Sequence, residues 1–347
     1  MPKKSPCFSI GNRAIGPQCD PYFIADLSSN HQQCIEQARA LIKYAKISGA
    51  DAVQVQTYTA DTLTLPIRNE QFEVDVPWKV KHLYDLYKIS YTPWEWHEEL
   101  AEYAKMQNIT FLCTPFDETA GDFLETHVNP PAYKIPSLEI THLPLLKKVA
   151  STAKPVILST GWANLNEIKE AITTLQDNGC KHWMLLKHVE LPVRNLRTIT
   201  YLQKQFKCSV GISDHTPSIN IALGSISLGA SLIEKHFILN RQGDAVENIL
   251  SLEPNEFRLM VNTGKELYKG LGEEEIENYE GHRYRCSIYV SKPIECGEQF
   301  TKDNLKIIRP SFGLAPKYWE SVLGQYAKNK LDIGHPLSAK DIIGFVP

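Results

Sequence analysis

From about residue 21 the chain alternates between two hydrophobic patterns. Short, apolar, β-rich runs recur: YFIADLS from Tyr22, AVQVQT from Ala52, ITFLCT from Ile109, AYKIPS from Ala132, PVILST from Pro155, WMLLKH from Trp183, SVGISD from Ser209 and SLIEKH from Ser231. Between them lie longer stretches with apolar residues at helical spacing. CIEQARALIKYAKISG stops at Gly49, PWEWHEELAEYAKMQ opens on Pro93 with acids in its early turns, and ANLNEIKEAITTLQDNG runs from Asn164 to a stop at Gly179. LPLLKKVAST, NLRTITYLQKQF, SINIALGSISLGA and EPNEFRLMVNTGKELYKGLG follow the same pattern. Eight strand–helix repeats with continuously apolar strands predict an α/β fold, a closed (β/α)8 TIM barrel whose strands are buried on both faces. The structural alternative is an open doubly wound sheet. It would normally carry a glycine-rich turn after its first strand, and DLSSNHQQC contains no glycine.

The pattern changes near Leu271, where GEEEIENYEGHRYR turns from acidic to basic and reads as a linker. We therefore divide the chain into an extension over 1–20, a barrel over 21–271, a linker over 272–284 and a small separate domain over 285–347 with short strand-like pieces and one helix-like stretch. Within the barrel, the polar and aromatic segment from Arg68 to Thr92 is longer than an ordinary connection and reads as a loop bordering a substrate site.

Composition narrows the function. The 347 residues are 43% hydrophobic, enough for a large core, and 37 basic against 40 acidic side chains leave a net charge of −3. That balance argues against a dedicated nucleic-acid binder, while leaving room for a local cationic pocket. No apolar run approaches the ~20 residues of a membrane helix, and the start of the chain lacks the apolar stretch of a secretory signal. The eight cysteines are scattered without a CxxC pair, and Cys113 and Cys208 sit in strand-like runs as small buried hydrophobes. A reducing, cytoplasmic setting is the reading these features give.

Function in such a barrel collects where strands end. The proposed ends carry Asp26, Gln54 and Gln56, Thr114, Lys134 and Ser137 with Glu139 beyond, Ser159 and Thr160, Lys187 and His188, Ser213, Asp214 and His215, and Glu234, Lys235 and His236. Any one of these could be an ordinary strand-end residue solvated by loops; their recurrence at one end of all eight strands points to a binding site. His215 and His236 follow neighbouring strands and could share one divalent ion with positions open to water or substrate, or be hydrogen-bonded packing. Lys134 with the hydroxyls of Thr114, Ser137, Ser159 and Ser213 would suit a phosphate or carboxylate. Lys134 could instead pair with Glu139, or form a Schiff base.

IADLSSNH, SGADAVQVQTYTADTLTL, TPWEWHEEL, AYKIPSLE, ILSTGWA, VGISDHT, LIEKHFILN and IIRPSFGLAPKYWESVLG together resemble the sialic acid synthase family, and within it the pseudaminic acid synthase branch. The resemblance runs from about Tyr22 to the carboxyl end, and its SDH and EKHF motifs are its most specific part. It implies a (β/α)8 barrel with an antifreeze-like (SAF) C-terminal domain and a domain-swapped homodimer. It also implies condensation of phosphoenolpyruvate with an amino-sugar aldehyde to a nonulosonic acid, with release of phosphate. By resemblance, His215 and His236 hold a divalent metal, manganese first with magnesium or cobalt as alternatives. Thr114, Lys134, Ser137, Ser159 and Ser213 surround phosphoenolpyruvate, Gln56 and Glu247 face the sugar, and Asp26 handles a proton or stabilises the cation. Arg309 would reach the site of the other subunit.

The sequence also departs from that pattern. Gln54 stands where the family has lysine, Asp26 where it has glutamate, Glu247 where it has aspartate, and LLKHVELPVRNL is a shortened and altered segment after the sixth strand. Loss of the β-strand cation weakens a phosphate site, and Arg194 or Lys187 are the candidate replacements. The departures keep two rivals open: a degenerate homologue that binds a sugar or partner without condensation, and an imine-forming lyase built on Lys134.

Overall fold

A computed structural model describes residues 7–74, 80–193, 195–242, 245–272, 276 and 282–346. The chain forms two compact units, 1–272 and 273–347. The first opens with an antiparallel hairpin, β1 (Phe8–Ile10) and β2 (Arg13–Ile15). Eight parallel strands follow: β3 (Tyr22–Asp26), β4 (Ala52–Thr57), β5 (Thr110–Pro115), β6 (Tyr133–Ile135), β7 (Val156–Ser159), β8 (Trp183–Val189), β9 (Val210–Asp214) and β10 (Leu232–His236). Each strand is hydrogen-bonded to the next in sequence, and β10 closes on β3 with His236 opposite Asp26, so the sheet is a closed barrel and not an open one.

The helices form where the periodicity places them. Ile35–Ile47 buries Ala38, Leu41, Ile42 and Ala45 on one face, and Gly49 turns the chain out at φ +91°, a conformation that favours glycine. Leu165–Asp177 starts at a capping box, in which Asn164 accepts from the amides of Asn166 and Glu167 while the Glu167 side chain takes the Asn164 amide.

Three pieces differ from the sequence expectation. The segment from Arg68 to Thr92 is not all loop, because Leu83–Ser90 is helical; residues 75–79 lie outside the described residues. The helix Glu118–His127 is capped by Asp117, which accepts from the amides of Thr119 and Ala120, a signal the pattern of apolar residues alone passes over. The hairpin within the 1–20 extension is integral to the barrel unit: Phe8, Ile10 and Ile15 join Tyr22, Ile24, Ala52, Leu112, Ala132, Ile157, Met184, Leu186 and Leu232 in one buried cluster. These strand residues belong to alternating positions, so the cluster fills the amino-terminal half of the barrel interior and the hairpin seals its floor.

The second unit carries β11 (Ser287–Val290) paired with β12 (Leu305–Ile308) and the short helix Trp319–Val322 around its own core, which includes Ile288, Phe300, Leu305, Val322 and Leu337. Residues 273–275 and 277–281 of the expected linker lie outside the described residues. Among the described residues no helix is long and apolar enough to cross a membrane. All eight cysteines are free thiols, with Cys113, Cys180 and Cys208 buried.

Candidate active site

The two-residue period of a strand sorts the polar strand ends into inner and outer sets. On β3, Tyr22 and Ile24 belong to the interior cluster, so Asp26 continues the inward face; on β8, Met184 and Leu186 do the same for His188. The same rule turns Gln54, Thr114, Lys134, Ser159, Ser213 and Glu234 inward, and the contacts agree. Lys134 on β6 and Glu234 on β10 are four strands apart in the ring, yet Nζ and Oε1 lie 3.1 Å apart, so this ion pair spans the lumen.

The outer set is structural. Lys235 and Asp214 alternate with interior residues and pair at 3.0 Å, fully buried between barrel and helices, and Lys235 also donates to the Thr216 carbonyl. Lys187 falls between Leu185 and Val189 of the outer core on alternating positions and so faces away from the lumen; it does not replace a cation at Gln54. Arg194, the other candidate replacement, lies outside the described residues.

Around the lumen the polar groups form one network. The Gln54 amide donates to Asp26 Oδ2 at 3.1 Å, and the Ser28 amide donates to Asp26 Oδ1 at 2.9 Å. Burial pushes the Asp26 carboxyl up to about 6, with Glu234 and Glu247 adding to the rise and His236 and Lys134 opposing it. Ser213 Oγ donates to Glu234 Oε1 at 2.8 Å. Burial works against the Lys134 ammonium, but Glu234 and Asp26 outweigh it and hold its pKa above the ordinary value. The expected alternative partner, Glu139, does not take this lysine; desolvation raises its carboxyl to about 7. An imine former needs a neutral amine, so this setting disfavours the Schiff-base role. Ser137 Oγ donates to Ser159 Oγ at 2.9 Å and accepts from the Gly161 amide at 3.0 Å, while Thr114 Oγ1 is buried without a partner.

His188, His215 and His236 stand side by side on successive strands, with ring centroids 4.4 and 4.7 Å apart. Among the described residues His188 Nε2, His215 Nδ1 and His236 Nδ1 are buried and have no hydrogen-bond partner. Burial drives the His215 pKa well below the ordinary value, with His236 and His188 adding to the fall, so this imidazole keeps a lone pair at neutral pH. Glu247 Oε2 lies 3.7 Å from His236 Nδ1, takes the Ser28 hydroxyl and approaches the Ser29 amide at 3.5 Å; Gln56 Nε2 donates to Ser28 Oγ at 3.1 Å. Among the described residues no three His, Cys, Asp or Glu side chains form a metal-holding group, so the protein's nitrogen donors would be the two imidazoles.

Thus the structure brings Asp26, Gln56, Thr114, Lys134, Ser137, Ser159, Ser213, His215, His236 and Glu247 to one mouth. Arg309 is exposed at the end of β12 in the second unit. Sequence reasoning gave His188 and Glu234 no role of their own and missed Ser28; a strict inward/outward count along each strand would have separated the first two from Lys187 and Lys235.

Comparison with known proteins agrees with this architecture. The NeuB family model matches residues 41–276 and the SAF domain model residues 285–343. Pseudaminic acid synthase of Helicobacter pylori is 38% identical over 333 residues, covering 93% of this chain and 98% of that one. N,N'-diacetyllegionaminic acid synthase of Campylobacter jejuni is 35% identical over 317 residues, covering 88% and 95%. Among solved structures, N-acetylneuraminic acid synthetase from Leptospira borgpetersenii, in complex with citrate, superposes with a TM-score of 0.71 at 27% identity, over 80% of this chain and 93% of that one. The spore coat polysaccharide biosynthesis protein SpsE of Bacillus subtilis gives 0.65 at 29% identity, over 98% and 100%. With a family model matching most of its barrel and relatives aligned nearly end to end, this chain belongs to the NeuB family.

Proposed function

We propose that this protein is a metal-dependent synthase that condenses phosphoenolpyruvate with the aldehyde form of an acetamido sugar, yielding a nonulosonic acid of the pseudaminic or sialic type and inorganic phosphate. The observation that carries the reading is the lumen-spanning Lys134–Glu234 pair set beside serine hydroxyls and unpartnered imidazoles, in a chain whose relatives bear the names of such synthases.

His215 and His236 would hold the divalent cation, manganese foremost: among the described residues their Nδ1 atoms are buried and unpartnered, and the carboxylates of Asp26, Glu234 and Glu247 outnumber the one interior ammonium, Lys134. When bound, such a cation polarises the sugar's carbonyl oxygen. Lys134 and the hydroxyls of Thr114, Ser137, Ser159 and Ser213 hold the oxygens of phosphoenolpyruvate as oriented donors. The C2=C3 π pair of phosphoenolpyruvate bonds C3 to the aldehyde carbon and leaves C2 electron-deficient, while the carbonyl π pair moves to the aldehyde oxygen, which takes up a proton from water. Water adds at C2, and the C2–O bond of the tetrahedral intermediate breaks to release phosphate. Asp26, ionised above about pH 6, accepts the proton of the added water. Gln56 and Glu247 face the sugar, and Arg309 of a second copy completes the mouth in a domain-swapped homodimer. Phosphate release tests the reading: with Mn2+ and a panel of 2-acetamido and 2,4-diacetamido sugars, at least one sugar is expected to drive turnover, and no turnover across the panel overturns it.

A second reading is favoured by one observation, the Gln54 amide committed to Asp26 where a phosphate-binding cation is expected. On that reading the barrel binds a sugar without condensing it. Calorimetry separates the two, since tight sugar binding with no phosphoenolpyruvate binding belongs to the second alone.

A further inference from the structure

His188 is a polar group in this mouth that the proposed chemistry leaves without a task. It ends the inward face of β8, its side chain is 10% exposed, and its Nε2 is buried with no hydrogen-bond partner among the described residues. The nearest carboxylate, Glu190, is 3.7 Å away and half exposed, too far for a hydrogen bond. The imidazole is walled in by rings on both sides, Trp162 at 4.6 Å and His215 at 4.4 Å. Trp162 itself sits at φ +57°, a left-handed conformation rare for a bulky residue, and lies at the rim with its ring against His188. A buried imidazole nitrogen without a partner, whether it carries the proton or the lone pair, is costly unless a ligand supplies one.

The surroundings say which ligand. A Cβ added to Gly161 would come within 2.8 Å of both Cβ and Cγ of His188 and 2.7 Å of Ser137 Oγ, so the absence of a side chain at Gly161 is what lets His188 close against the serine pair. His188 therefore stands on the hydroxyl-lined side of the mouth, with Ser137 and Ser159. Among the described residues the interior supplies one ammonium, Lys134, already shared with Glu234, and the inward position on β4 holds Gln54, bound to Asp26. A multiply charged oxyanion there is short of donors, and Nε2 of His188 is open to serve as one in the tautomer that carries its proton there. A metal role fits less well, because His215 intervenes between His188 and His236 and no three such groups converge among the described residues.

We propose that His188 Nε2 donates a hydrogen bond to the phosphoryl group of phosphoenolpyruvate from the β8 side of the mouth. The inference rests on the reading under Proposed function and names a binding residue within it. The test uses the full chain loaded with Mn2+ and compares wild type with His188→Leu, which keeps bulk against Trp162 but no donor, and His188→Gln, which keeps an amide N–H near the Nε2 position. Calorimetry reads phosphoenolpyruvate affinity, and the paramagnetic resonance signal of free Mn2+ reads metal affinity. Leu is expected to weaken phosphoenolpyruvate binding by roughly 10- to 100-fold, the loss of one hydrogen bond to a charged group, while Gln stays within about threefold of wild type and both retain Mn2+. Unchanged binding in Leu overturns the proposal, as does a parallel loss of Mn2+, which would make His188 a ligand or a prop of the metal pair. Equal loss in Leu and Gln overturns it too, because ring packing and not a donor would then be responsible. Failure of the parent reading looks different: the Mn2+-loaded wild type itself would not bind phosphoenolpyruvate.

Discussion

The two halves of the barrel interior are made by the same eight strands and have opposite chemistry. In the floor, Tyr22, Ile24, Leu112, Ile157, Leu186 and Leu232 pack with the hairpin residues Phe8, Ile10 and Ile15 into a sealed apolar plug. Two residues further along those strands the same inward face carries Asp26, Thr114, Ser159, His188 and Glu234, where Thr114 Oγ1, His188 Nε2 and Glu234 Oε2 are buried without hydrogen-bond partners. The floor is apolar save for the Tyr22 hydroxyl, its one buried atom without a partner among the described residues, whereas the mouth gathers several such atoms against the rule that buried polar atoms find partners. The difference teaches that stability and chemistry are separated along the strand by one side-chain period, and that each can be damaged without the other.

The largest effect should come from the mouth. The double change Lys134→Met with Glu234→Gln removes both charges of the lumen pair at once, so we expect condensation to fall by about 10³-fold while Tm falls less than in Lys134→Met alone; steady-state kinetics with thermal melts checks both halves. Next is the outer face. Lys235→Met strands Asp214 and should cost about 3–5 kcal/mol in chemical denaturation, and adding Asp214→Leu should recover most of it. In the floor, Ile10→Ala removes a fully buried side chain and should cost about 2–4 kcal/mol while kcat/KM stays within twofold; a kinetic loss of tenfold would erase the contrast between the two halves.

The smallest effect sharpens the contrast, because it predicts a mouth residue that costs stability. The folded Asp26 pKa of about 6 lies above its ordinary 3.8. Between those values the native state keeps a proton the unfolded chain has released, so stability falls as pH rises through that window and the full penalty stands above it. Asp26→Asn removes the penalty but weakens the bond from Gln54. In metal-free protein it should therefore gain about 1–2 kcal/mol at pH 7.5 and nothing near pH 4, in denaturation series at the two pH values. A gain equal at both pH values contradicts the burial of this carboxylate.

Much of this contrast was legible in the sequence. Continuous apolar runs ending in Asp26, Lys134, Ser213 and His236 give both the barrel and the end of it that matters, since a polar side chain in a strand buried on both faces needs a partner or a ligand. What was not legible depends on distance along the chain or on direction. The floor hairpin consists of strands of three residues each, too short for a periodic signal. The partner of Lys134 is Glu234, a contact made across the lumen and not the nearby Glu139. Lys187 and Lys235 read like site residues until alternation turns them outward.

The central claim is that the unpartnered imidazoles of His215 and His236 are a metal site, and the resonance signal of free Mn2+ titrated with protein tests it most directly. We predict that wild type quenches one Mn2+ per chain and that His215→Ala and His236→Ala each weaken binding by at least about 100-fold while remaining folded. Folded variants that take up Mn2+ as wild type does would contradict it.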